Sequence, residues 1–357
     1  MRRLLPALAV IFALFSGSTA TAGECRTAFD MGSSGIRAGS TASTATGRAD
    51  IDYLAPQWAG RGLGETVPPT INALRDLPRQ AGFPADCAAV GGGFSAWRLA
   101  AEQDSVGLVG HLARIRAESG VAVLVIPQDQ EGRYGYFGAR ALLGGQLQTT
   151  HIIDIGGGSL QIAGADGGFG AMLGQKAWFK TLCAGLHQRA PEACTVQTLT
   201  SDELARARAL AAAQWSGLET ALPVGHMSLT AISRPVTRGV LPALQTLQGE
   251  PFRQIALAEL SSAIDRLAGL SLAETAALTG KTPEEATFLL STMLLLESAM
   301  HATGVKEVQV AELDLNNLPG LLADDRAFAW TQRYACYLTR LALRGASAYA
   351  SDLATCR

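Results

Sequence analysis

Residues 27–39 read Thr-Ala-Phe-Asp-Met-Gly-Ser-Ser-Gly-Ile-Arg-Ala-Gly, and residues 151–163 read His-Ile-Ile-Asp-Ile-Gly-Gly-Gly-Ser-Leu-Gln-Ile-Ala. Each stretch is a short apolar strand, then Asp-apolar-Gly, then small residues, then a second strand. The echo recurs 124 residues on, from Asp30 to Asp154. Two such units predict two domains of one fold, each opening with a β-hairpin whose turn carries Asp and Gly.

A glycine-rich turn can aim several backbone N–H groups at one point, because no Cβ blocks the approach. Phosphate is an acceptor-rich anion that fits such a nest. The candidate phosphate ligands are therefore Ser33 and Ser34 in the first turn and Gly156, Gly157, Gly158 and Ser159 in the second. An Asp at a strand end repels phosphate but holds Mg²⁺ or orients a water, so Asp30 and Asp154 are candidate metal residues. Either loop alone could be only a tight hairpin; the pair in matching context predicts a cleft that grips successive phosphates.

Between the hairpins the pattern is mixed α/β. Helices are expected over 72–80, 103–119 and 131–143, and strands over 87–90 and 121–126. In the second half, helices are expected over 202–215 and 283–302 and a strand over 307–312. A terminal helix or helix pair is expected over 327–353. The apolar run from Phe288 to Leu296 is interrupted by Glu297 and reads as a core helix rather than a membrane span. The sequence has no G-x-x-x-x-G-K-[ST] and no G-x-S-x-G, which removes the P-loop and the usual serine hydrolase.

The start, Met1-Arg2-Arg3 with an apolar run from Leu4 to Phe15 and small residues to Ala22, has the form of a secretory signal. Export to the periplasm or beyond is the expectation, with a mature chain from residue 23. Without Arg2 and Arg3, the 29 Lys and Arg fall to 27 against 31 Asp and Glu, a formal charge of −4. No basic run exists, so nucleic acid is a poor partner. All six cysteines lie in the mature part, and an even count in an exported chain favours disulfides. Cys183 is expected to pair with Cys194; the other pairings stay open. No C-x-x-C occurs and the histidines are scattered, which gives no support to a structural zinc site.

Asp30-Met-Gly-Ser-Ser-Gly-Ile-Arg37 and Asp154-Ile-Gly-Gly-Gly-Ser159 resemble the two phosphate loops of the exopolyphosphatase and guanosine pentaphosphate phosphohydrolase (Ppx/GppA) family. Ser95-Ala-Trp-Arg98 is similar to that family's segment bearing a substrate-contacting arginine. Gln128-Asp-Gln-Glu-Gly-Arg-Tyr-Gly-Tyr136 resembles the segment bearing its catalytic glutamate. The resemblance implies two ribonuclease-H-like domains of the actin, sugar kinase and heat-shock chaperone superfamily around a central cleft. It divides the chain into 1–22, 23–145, 146–324 and a C-terminal helical segment, 325–357, packing back on the first domain. It makes Glu131 the general base that activates water, Arg98 a phosphate clamp and Mg²⁺ or Mn²⁺ the cofactor. Arg37 and Arg133 are read as structural. The implied activity releases terminal phosphate from inorganic polyphosphate or a related polyphosphate ester. A binding protein with reduced catalysis and an ATP-using kinase or chaperone are the alternatives. The oligomeric state, a homodimer included, is left open.

The chain departs from the family pattern in four places. Gln161 stands where Glu is usual and Phe94 where Thr is common. Ser228 to Pro235 lacks an expected Gly-Gly-Thr, and Asp314-Leu-Asn-Asn317 replaces Gly-Leu-Arg-Glu.

Overall fold

The computed structural model describes residues 25–187, 194–222, 226–313 and 317–356. The expected signal segment and three residues of the Asp314–Asn317 departure lie outside them. Two sheets organise the chain. In the first, β1 (Arg26–Met31), β2 (Gly35–Ser40) and β3 (Ser43–Asp50) run antiparallel, and β4 (Ala88–Gly93) and β5 (Ala122–Val125) continue parallel to β1, in the order β3-β2-β1-β4-β5. The second holds β6 (His151–Ile155), β7 (Leu160–Gly164), β8 (Gly168–Ala171), β9 (Leu229–Ala231), β10 (Gln254–Ala256) and β11 (Glu307–Val310). Its order from the opposite end is β8-β7-β6-β9-β11-β10. Its first five strands repeat the order and directions of the first sheet, with β10 added at the edge. The duplicated α/β unit read from the two Asp-Gly hairpins is present.

β1 and β6 are buried on both faces because helices cover each side of their sheets. β3 alternates exposed and half-buried residues, as befits an edge strand. β4 runs on to Gly93, past the Val90 at which propensity ends it. Its three glycines are demanded by packing: a Cβ on Gly91 would lie 2.9 Å from Val123 Cγ2, and one on Gly93 2.7 Å from Trp97 Cγ. The helix expected over 103–119 is Ser105–Ser119, and a separate helix, Ser95–Gln103, precedes it. Asp104 separates the two and caps the second by accepting from Gly107 N at 2.8 Å. The helix expected over 283–302 divides into Pro283–Ala286 and Leu289–Thr303.

The chain returns to the first core at Leu318, earlier than residue 325. Leu318 and Leu321, three apart on one helical face, are buried there. Helices Asp325–Gln332 and Tyr334–Arg344 follow. They close the exposed edge of the first sheet. Tyr334 donates to Val123 O at 3.0 Å, and the Tyr337 hydroxyl accepts from Val125 N at 2.6 Å. An uncovered edge strand invites pairing with another chain, so this cover also guards against aggregation. Disulfides join Cys25 to Cys87, Cys183 to Cys194 as expected, and Cys336 to Cys356. No described helix is long and apolar enough to cross a membrane.

Candidate active site

The two hairpin turns close in the same way. Gly32 N donates to Gly35 O at 3.0 Å, and Gly156 N donates to Ser159 O at 2.9 Å. Each Asp precedes its turn by two residues and faces a partner across the hairpin, Asp30 opposite Arg37 and Asp154 opposite Gln161. The turns meet across a cleft of about 270 Å³ between the sheets. A Cβ on Gly157 would fall 2.3 Å from Ser33 Oγ, so the two loops approach closely there and a side chain at 157 would displace the Ser33 hydroxyl.

Asp30, Ser33, Ser34, Glu131, Asp154, Gly156, Gly157 and Ser159 line this cleft. Gly158 does not; it turns toward Ser95 and Leu54 of the first domain, where a Cβ would lie 2.9 Å from Ser95 Oγ.

Arg98, expected as a phosphate clamp, is 3% exposed and stands behind Glu131, outside the residues that line the cleft. It donates from Nη1 to Ile126 O at 2.9 Å, and from Nη2 to Glu131 Oε2 at 2.6 Å and Ser159 Oγ at 3.0 Å. The reason is its position on the first turn of Ser95–Gln103, which aims the side chain into the gap below β5. A cation buried there needs an anion and acceptors, and it takes the carboxylate of Glu131.

Glu131 sits on the first turn of helix Gln128–Leu143, which follows β5 and Pro127. That helix leaves the first sheet and packs on β7 and β8 of the second. Gly132 and Gly170 permit it: a Cβ on Gly132 would lie 3.0 Å from Ala163 Cβ, and one on Gly170 2.6 Å from Gln128 Cβ. Burial pushes the Glu131 carboxyl above its ordinary range, and Arg98 opposes that push. Asp30 is pushed up to about 7, first by burial, with Arg37 pulling down and Glu131 and Asp154 pushing up.

Asp30 and Asp154 thus feel each other's charge across the cleft, which a cation would relieve. Among the described residues no three His, Cys, Asp or Glu side chains converge closely enough to hold a metal by themselves. Mg²⁺ usually takes one or two carboxylates together with water and substrate phosphates, and this donor set fits that mode.

Four cations also line the cleft: Arg37, Arg48, Lys176 and Arg234. Sequence reading assigned none of them to the ligand. For Arg37 the signal was available, since the hairpin register sets it opposite Asp30. Lys176 follows a loop whose folding back on Gly157 no local pattern announces. Arg133, read as structural, is exposed on the helix surface. Among the described residues no Phe, Tyr, Trp or His faces the cleft.

Fold and site together define a two-domain α/β protein with twin Asp-Gly loops around a cleft lined by charged side chains. The sequence profile of the Ppx/GppA phosphatase family matches residues 95–317, more than half of the sequence. The chain belongs to that family. An uncharacterized protein of Streptomyces coelicolor is 30% identical over 207 residues, 55% of this chain; the match spans 59% of that relative's length. The crystal structure of the Ppx/GppA phosphatase of Aquifex aeolicus, type II variant, is similar with a TM-score of 0.58 at 15% identity, over 84% of this chain and 98% of that one. An exopolyphosphatase from Cytophaga hutchinsonii gives 0.60 at 15% identity, over 84% and 96%. At such identity the likeness to these structures is one of fold.

Proposed function

We propose that the protein is a phosphoanhydride hydrolase that releases terminal phosphate from inorganic polyphosphate or a related polyphosphate ester. The observation that carries this is the place of Glu131. A buried carboxylate of raised pKa faces a cleft flanked by two phosphate-type loops, anchored from behind by a buried arginine. Phosphoryl transfer to water needs chiefly positioning, charge stabilisation and one group to orient or deprotonate the water. Glu131 is that group. Ser33, Ser34, Gly156, Gly157 and Ser159 hold phosphate oxygens, and the cleft cations offset the chain's charge. Asp30 and Asp154 would hold Mg²⁺ or Mn²⁺, which neutralises charge on the phosphates when bound. The described residues that line the cleft include no aromatic side chain, which favours a ligand recognised through its phosphates rather than through a stacked base. Three disulfides fit an oxidising compartment and support the reading of an exported, periplasmic or secreted protein.

The test is phosphate release by the purified protein from short and long polyphosphate with Mg²⁺, beside Glu131→Gln. Loss of a positioned base costs about 10²–10⁴-fold in rate. Turnover that survives the substitution rejects Glu131 as the base. Tight polyphosphate binding without turnover makes the chain a binding protein.

A further inference from the structure

The carboxylate of Glu131 is held asymmetrically. Arg98 Nη2 donates to Oε2 at 2.6 Å, and Gln161 Nε2 donates to the same oxygen at 2.9 Å. Both of these donors fall on Oε2, and Ser159 also hydrogen-bonds the Glu131 side chain. The two donors come from different domains: Arg98 from the helix after β4, Gln161 from β7.

The orientation of the Gln161 amide is fixed by its surroundings. Arg98 Nη2 also donates to Gln128 Oε1 at 3.1 Å, which turns that carbonyl toward Gln161. Gln161 Nε2 then meets Gln128 Oε1 at 2.9 Å and Ser159 Oγ at 2.9 Å besides Glu131. Its two protons face acceptors only, so the reversed amide would set oxygen against a carboxylate and a carbonyl. The contact exists because Gly132 lets the Glu131 helix lie on β7, where a Cβ would come within 3.4 Å of Gln161 Cβ.

We propose that Gln161 is a positioning residue that, together with Arg98, pins Oε2 of Glu131 and leaves Oε1 to face the attacking water, so that the base is assembled from both domains. This rests on the reading of Glu131 as the base. In the step it serves, the water oxygen bonds to the terminal phosphorus as the bridging P–O bond breaks. The water proton passes to Oε1, and the shortened chain leaves with the bridging oxygen. An acid at position 161 would do the opposite of what the amide does. It would take a donor from Oε2 and add negative charge beside a carboxylate that already faces Asp30 on β1 and Asp154 on β6, with Arg98 on the helix behind it as the cation that opposes them.

Gln161→Met removes the donor alone; Gln161→Glu removes it and adds charge. A hydrogen bond to an ion, worth about one pKa unit or more, sets the scale. With Mg²⁺ and polyphosphate, Gln161→Met is expected to lower kcat about tenfold with KM changed less than about threefold. Gln161→Glu should also move the acid limb of the kcat profile upward by about one pH unit. The Mg²⁺ concentration for half-maximal rate stays unchanged in Gln161→Met, which separates positioning from metal binding. A crystal structure of Gln161→Met is expected to show the Glu131 carboxylate rotated off its wild-type position. An unmoved carboxylate, or a kcat equal to wild type, overturns the proposal. If wild type shows no turnover, the hydrolase reading fails, and the crystallographic comparison still decides whether Gln161 holds Glu131.

Discussion

The β1–β2 and β6–β7 hairpins are one design used twice, and they differ most in what lies behind the turn and opposite the Asp. The first turn is open at the back: a Cβ on Gly32 meets nothing within 4 Å. The second is braced. Gln175 N donates to Gly156 O and Lys176 N to Gly157 O, both at 2.8 Å. A Cβ on Gly174 would lie 2.4 Å from Ser159 N and 2.5 Å from Gly157 C. Opposite Asp30 stands a cation, Arg37; opposite Asp154 stands a neutral amide, Gln161, turned to Glu131. A duplicated scaffold has thus divided its labour. The first hairpin sets a cation opposite its Asp, and the second has a braced turn and a donor to Glu131.

That contrast breaks most visibly at glycine. Gly174→Ala places a methyl against backbone atoms that cannot rotate away, so the second loop must shift. Misplacing a phosphate site by about 1 Å can cost roughly 10²-fold in rate, and overpacking costs about 1–3 kcal/mol of stability. Gly32→Ala at the corresponding turn should change stability by less than about 1 kcal/mol, because the added methyl enters open space. Thermal melts and phosphate release for the pair decide it, and equal effects would mean the bracing is irrelevant.

The charge half of the contrast is tested at Asp30. Its folded pKa of about 7 lies above the ordinary 3.8, so the folded state holds a proton that the unfolded chain has lost. The stability it contributes is fully present below about pH 4 and is lost as pH rises through 7. Asp30→Asn removes that loss. At pH 8 the variant is expected to be more stable than wild type by a few kcal/mol at most, since each pH unit between the unfolded and folded pKa values is worth about 1.4 kcal/mol, while phosphate release falls. Melting curves from pH 4 to 8 should show the gap opening as pH rises; a gap independent of pH would sink the account.

How much of this could be read from the sequence depends on whether the signal was local. The hairpins were legible because Asp, Gly and the flanking apolar residues are contiguous, and the duplicated sheet followed from them. The second half of β4 was not, since Gly91, Gly92 and Gly93 have low strand propensity and pack closely against Val123, Leu321 and Trp97. Arg98 and Gln161 were visible as residues but not in their roles. A motif places an arginine near a phosphate loop without saying whether it faces the ligand or the base. Only the crossing of helix Gln128–Leu143 onto β7 puts Glu131 between Arg98 and Gln161, and that crossing depends on Gly132 and Gly170.

The smallest effect is expected where the braced loop touches the first domain at the surface. Lys176 Nζ, at the mouth of the cleft, lies 3.8 Å from Asp52 Oδ2, and the two side chains are 31% and 52% exposed. A solvated pair of this kind contributes about 0–1 kcal/mol and is screened by salt. Asp52 also accepts from Leu54 N at 3.0 Å and Ala55 N at 3.1 Å, so Asn keeps the local turn where Ala would lose it. Asp52→Asn should therefore leave the melting temperature within a few degrees of wild type. The charge it removes competes with an anionic substrate for Lys176. KM for polyphosphate should fall about two- to threefold at low ionic strength, with the advantage fading as salt screens both interactions. A KM that rises instead would show that Asp52 holds Lys176 in the geometry that meets the phosphate, and the two domains would then share the outer end of the site as they share the contacts to Glu131.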